Sequence, residues 1–138
     1  MGASFLDSKV DAVPTVFGTT KTAEFPNAPS VSLNWLGRYE WPVPNIGGKL
    51  ALQVDGNWNA SQYLEGTNSD VSHEPSYSVW NARVAYTTED GMWTAAVWAK
   101  NFTDSEYRTY NLDLGLLGFI EQMYAPPRQV GGTVSVNW

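Results

Sequence analysis

Catalysis at neutral pH commonly rests on a histidine, and this chain has one, His73. It lies in a polar stretch with no Ser or Cys arrangement to serve as a triad, and cysteine is absent altogether, so nucleophilic chemistry and disulfides have no foothold. The carboxylates that could gather around a cation are Asp104, Glu106, Asp113 and Glu121. A hard cation needs six or more oxygens converging on one point, and spacing across a long loop specifies neither geometry nor ligand count. A solvated loop is the reading they support; no metal, no cofactor and no enzymatic activity are expected. Asn59-Ala60-Ser61 and Asn101-Phe102-Thr103 match the glycosylation acceptor triplet, but both fall inside or beside extended segments, and such triplets arise by chance. Tyr110, Phe119 and Tyr124 remain as ligand-binding candidates, flat loop rings on which a solute ring can stack.

The elements that must position these residues read as strands. From Val130 to Trp138, Val130, Gly132, Val134, Val136 and Trp138 alternate with Gly131, Thr133, Ser135 and Asn137. From Lys49 to Ala60, Leu50, Leu52, Val54, Gly56, Trp58 and Ala60 alternate with Lys49, Ala51, Gln53, Asp55, Asn57 and Asn59. From Val31 to Trp41, Val31, Leu33, Trp35, Gly37, Tyr39 and Trp41 oppose Ser32, Asn34, Leu36, Arg38 and Glu40, with Leu36 alone breaking the polar face. Tyr77 to Tyr86 repeats the pattern through Trp80, Ala82, Val84 and Tyr86. In Met92 to Phe102 two apolar sets compete, and Trp93, Ala95, Val97 and Ala99 are preferred. A short strand over Ser4 to Val10 completes about six, predicting an all-β antiparallel up-and-down meander.

Composition narrows the setting. A net charge of -6 with scattered basic residues argues against nucleic acid. Seven Trp and seven Tyr exceed what a small core needs; such rings favour surfaces that are apolar on one side and wet on the other. No apolar run approaches the roughly 18 residues of a helical membrane span. The first residues carry no export signal, and the chain reads as starting in mid-structure. Connections alternate in length: Asp11 to Pro29, Leu64 to Ser76 and Thr103 to Pro126 are long and polar, whereas Pro42 to Gly48 and Glu89-Asp90-Gly91 are short. Long loops outside and short turns inside characterise outer-membrane barrels, which would put the C-terminus in the periplasm.

Three stretches carry a family resemblance. Asn101-Phe102-Thr103-Asp104 with Tyr107, Pro127-Arg128-Gln129-Val130-Gly131 running to a terminal aromatic, and Pro26-Asn27-Ala28-Pro29 opening an aromatic-rich strand together resemble the C-terminal barrel region of TonB-dependent outer-membrane receptors. Phe102 stands where Leu is usual, Gly132 where a larger apolar residue is, and Trp138 where Phe is. The resemblance implies that residues 1–138 are a C-terminal barrel segment, a fragment of a larger transmembrane β-barrel in the bacterial outer membrane. Six strands cannot close alone, since single-chain barrels of this class start at eight. The implied activity is uptake of a scarce solute such as siderophore-bound iron, cobalamin or a glycan. Implied partners are outer-membrane lipid, the remaining barrel and plug, the outer-membrane assembly machinery and the energy-transducing TonB complex, engaged through N-terminal parts.

In that setting Val130, Val134, Val136 and Trp138 would form the assembly signal. Trp35, Tyr39, Trp41, Trp58, Trp80, Tyr86 and Trp93, with Tyr63 beside them, would form aromatic girdles. Arg83, Asp55 and Arg38 would make a charge ladder on the lumen side. A second reading stays open, a secreted soluble all-β carbohydrate-binding module using Tyr110, Phe119 and Tyr124.

Overall fold

The computed structural model describes residues 1–14 and 19–138. Its strands are β1 (Gly2–Phe5), β2 (Val10–Pro14), β3 (Thr20–Ala23), β4 (Val31–Pro42), β5 (Gly48–Asn59), β6 (Gln62–Tyr63), β7 (His73–Glu74), β8 (Tyr77–Thr88), β9 (Trp93–Lys100), β10 (Arg108–Leu114), β11 (Phe119–Tyr124) and β12 (Gln129–Val136). Helical structure among the described residues is confined to single 3-10 turns at Pro44–Ile46, Asp70–Ser72 and Gly115–Leu117.

Six strands form one antiparallel sheet in the order β1-β4-β5-β8-β9-β12, a meander with no crossover. The alternation of apolar and polar residues explains the uninterrupted register: a one-residue slip would turn every tryptophan to the opposite face. β5 and β8 pair over all twelve residues, from Gly48 opposite Thr88 to Asn59 opposite Tyr77. At about 3.3 Å per residue these strands run roughly 40 Å, far longer than the ordinary five or six residues.

The remaining strands pair as β2–β3, β6–β7 and β10–β11, one hairpin inside each long connection. The sequence reads these connections as loops, because their short runs lack a clean period of two. β10 and β11 alternate Leu with Asp and Glu with Met only partially, and backbone pairing at Leu114 opposite Phe119 completes the hairpin. The expected first strand, Ser4 to Val10, is corrected: β1 ends at Phe5, and Val10 begins β2. Asp7, Ser8 and Lys9 are polar and pair with no strand. The closing strand stops at Val136, so Trp138 lies beyond it and is fully exposed.

The short connections share one end of the sheet. Gly47 at φ +63 and Gly91 at φ +71 take left-handed conformations that side chains resist. Near Gly91, Asp90 accepts from the Thr88 hydroxyl at 2.5 Å and the Met92 amide at 2.9 Å. The three hairpins sit at the other end. Buried apolar residues amount to Ala23, Ala51, Leu64, Ala85 and Ala96, so no second layer covers the sheet among the described residues.

Candidate functional site

Register places every main-sheet residue on one of two faces. Row by row, Trp35 stands opposite Gly56 and Gly56 opposite Trp80. Tyr39, Leu52, Val84, Val97 and Gly132 form a second row, and Trp41, Leu50, Tyr86, Ala95 and Val134 a third. This face carries no charged side chain on any of the six strands. It is also uncovered, with Val97 at 62% and Val134 at 69% exposure. The preferred set Trp93, Ala95, Val97 and Ala99 lies on it.

Its aromatics fall at two levels. Trp35, Trp58 and Trp80 lie toward the hairpin end, with the Trp35 and Trp80 rings 4.7 Å apart and Phe102 a further 6.5 Å from Trp80. Gly56 makes that pairing possible, since a Cβ there would lie 2.9 Å from the Trp35 ring. Tyr39, Trp41, Tyr86 and Trp93 lie toward the short turns. The Tyr86 hydroxyl donates to the Ile46 and Gly47 carbonyls at 2.7 and 3.0 Å. Tyr63 is off the sheet, in β6, its ring 5.4 Å from that of His73. Val130, Val134 and Val136 line the same apolar face on β12.

The opposite face is polar. Arg38, Asp55 and Arg83 share it as expected, but they form no ladder. Gln53 lies between the two arginines in one row, while Asp55 sits in the next row between Leu36 and Asn81. Asp55 therefore accepts from Asn81 Nδ2 at 2.9 Å and Gln53 Nε2 at 3.2 Å. Arg38 pairs instead with Glu40, which Lys49 also approaches at 3.6 Å.

At the hairpin end a polar network replaces a core. The buried polar residues Gln62, Ser72, Glu74, Asn101 and Asn111 all belong to this region. Arg108 donates to Glu74 at 2.6 Å, to the Val71 carbonyl at 2.8 Å and to the His73 carbonyl, tying β10 to the β6–β7 connection. Asn68, at φ +47, joins the second connection to the first: it exchanges hydrogen bonds with the Glu24 backbone, and its carbonyl accepts from Lys21. Sequence reasoning missed Arg108, Glu74 and Asn68. Only Asn68 left a signal, following Gly66 and Thr67 in a turn-forming run.

Two of the stretches that carry the resemblance meet here. Asn101, at φ +47, turns the chain after β9; its Oδ1 accepts from the Ser105 amide and its Nδ2 donates to the Ser105 carbonyl, both at 2.9 Å. With both amide atoms engaged and the side chain buried, Asn101 serves the fold rather than a glycan. Asp104 Oδ1 accepts from the Arg128 amide at 2.8 Å. Tyr107 stacks on Tyr77, centroids 4.2 Å apart.

The four carboxylates are not brought together. Asp104 faces Arg128, Asp113 accepts from the Gly115 amide, and Glu121 stands opposite Leu112. Tyr110, Phe119 and Tyr124 all fall on the β10–β11 hairpin and are roughly half exposed. None of them lines the cleft of about 730 Å³ between the hairpins, which is walled by Val13, Pro14, Lys21, Asp113, Leu114 and Leu117 among others. No protein-family model matches the chain, and no solved structure matches it.

Proposed function

We propose that this sheet is part of the wall of a TonB-dependent receptor barrel in the bacterial outer membrane, taking up a scarce solute such as a siderophore-iron complex, cobalamin or a glycan. The observation that carries the reading is the face without a charged side chain, uncovered across six strands and backed by a polar face. In water such a face is a large unburied apolar patch, unusual for a soluble monomer. In a bilayer it is the ordinary outer surface of a barrel. The two aromatic levels are six residues apart between Trp80 and Tyr86, about 20 Å along the strand. That spacing suits girdles flanking an apolar band.

On this reading the hairpins are the extracellular loops and the short turns are periplasmic. The unpaired edges of β1 and β12 then join further strands of the receptor, because each open amide in hydrocarbon costs several kcal/mol. Val130, Val134, Val136 and Trp138 serve as the assembly signal. Lipid, the remaining barrel and plug, the assembly machinery and the TonB complex are the partners.

Fractionation tests the proposal. Recovery in the outer membrane and detergent-dependent solubility are expected. A detergent-free monomer would overturn it in favour of a secreted carbohydrate-binding module.

A further inference from the structure

Of the eight Lys and Arg residues, six have a polar partner: Lys9 with Asp7, Lys21 with the Asn68 carbonyl, Arg38 and Lys49 with Glu40, Arg108 with Glu74, and Arg128 with Asp104. Arg83 and Lys100 have no ion pair among the described residues, although carboxylates outnumber cations in this chain. Both stand beside the same side chain. Arg83 is directly across the strand pair from Trp98, and Lys100, two residues along β9 on the same face, holds its ammonium 5.7 Å from the indole centroid.

Trp98 is the one tryptophan on the polar face of the sheet. Gly131 seats it: a Cβ there would come 2.3 Å from the indole six-membered ring, so the ring lies over bare backbone. Its Nε1 donates to Thr133 Oγ1 at 3.3 Å, which fixes its rotation. One face of the indole is thus turned to the sheet, while the Lys100 ammonium lies over the ring and Arg83 stands directly across the strand pair. Gln53 lies beyond Arg83, and Gln129 is opposite Lys100.

We infer that Trp98, Arg83 and Lys100 form a binding station on the lumen wall for a small solute with a flat ring bearing a carboxylate or phosphate. This rests on the reading that the polar face lines a lumen. The Lys100 ammonium moves from over the indole onto the anion, which frees that face for the solute ring to stack, and Arg83 meets the same anion from the neighbouring strand. Directly opposed residues stand about 5 Å apart at Cβ, and same-face neighbours on one strand about 7 Å. Both cations therefore reach the substituent of one six-membered ring. Acidic groups do not cancel this attraction: on the same face Asp55, diagonal to Arg83, accepts from Asn81 and Gln53, and Glu40 is paired with Arg38 and Lys49, while at the hairpin end Asp104 and Glu74 are paired and charges more than about 8 Å away are screened at physiological ionic strength.

The test uses the full chain in detergent micelles, with 2-naphthoate and its neutral analogue 2-naphthamide as probes. The indole N–H resonance of Trp98, assigned by its loss in Trp98→Phe, should move saturably with naphthoate. Affinity for naphthamide should be lower by at least about fivefold, and Arg83→Gln and Lys100→Gln should each weaken naphthoate binding about three- to tenfold. Equal response to both probes, no response, or unchanged affinity in both variants overturns the station. Labelling judges the lumen reading separately. In membranes, Lys100→Cys should react with a charged maleimide and Val97→Cys should not; equal reaction at both would discard the lumen while leaving the titration to judge the site.

Discussion

At the residue scale, two adjacent glycines in β12 have different tasks. Gly131 leaves room for the Trp98 ring, whereas a Cβ on Gly132 would meet only the Ala96 carbonyl at 3.5 Å, an ordinary contact. Gly131→Val should therefore lower stability by about 1–3 kcal/mol through overpacking, while Gly132→Ala should stay within about 0.5 kcal/mol of the parent. Urea midpoints of the two variants in micelles check this; equal losses would show that Trp98 has another seat. Asp90 offers a pH test. The Thr88 hydroxyl, and then the Met92 amide, hold its carboxyl below the usual aspartate range. A depressed folded-state pKa stabilises above the unfolded value and loses that contribution as pH falls through the folded one. The stability gap between the parent and Asp90→Ala should be constant near neutrality and shrink once pH drops below about 4. A gap that persists unchanged in acid would remove the carboxylate from the account of this turn.

At the element scale, long strands and short hairpins are held by different forces. β4, β5 and β8 are secured by continuous ladders of backbone hydrogen bonds. The hairpin end depends on a few polar side chains, above all Arg108 and Glu74, whose side chains are 15% and 6% exposed. Removing one partner of a buried pair strands the other charge away from water, at about 3–5 kcal/mol. Arg108→Ala should release β10 and β11 from the Asp70–Ser72 turn, seen as faster amide exchange in β7 and β10 with β5 and β8 unaffected. Glu74→Gln keeps an acceptor and should be milder. Uniform acceleration across the sheet would mean that the hairpin end and the wall unfold as one unit.

For the whole molecule, the two faces make opposite demands on an added charge. Val84 lies mid-sheet on the apolar face, and Gln53 lies near it on the polar face. If the apolar face meets lipid, Val84→Arg should destabilise the folded protein in vesicles by roughly 2–4 kcal/mol, and Gln53→Glu, set between Arg38 and Arg83, by less than about 1 kcal/mol. Similar costs at both positions would contradict a bilayer on one side and water on the other. The polar face of the sheet carries Arg38, Lys49, Arg83 and Lys100 against Glu40 and Asp55, although the chain as a whole is at -6. The negative excess therefore lies in the connections.

Period-two alternation determined most of the six-stranded meander and the faces of β4, β5, β8 and β12, because a strand with one apolar face admits one register, whereas in β9 two apolar sets competed until pairing decided between them. Leu50, Leu52, Val54 and Trp58 share a face with Val31, Leu33 and Trp35 for that reason. The short hairpins stayed illegible: they are pinned by contacts between residues far apart in sequence, such as Arg108 with Glu74 or Asn68 with Glu24, which leave no local period. The charge ladder failed on the same ground. Alternation says which face Arg38, Asp55 and Arg83 occupy, but only the cross-strand register decides that Asp55 meets Asn81 rather than an arginine. In β9 alternation left Trp98 in one of two competing apolar sets; pairing set it on the polar side, with Gly131 of β12 beneath it and Arg83 of β8 across from it.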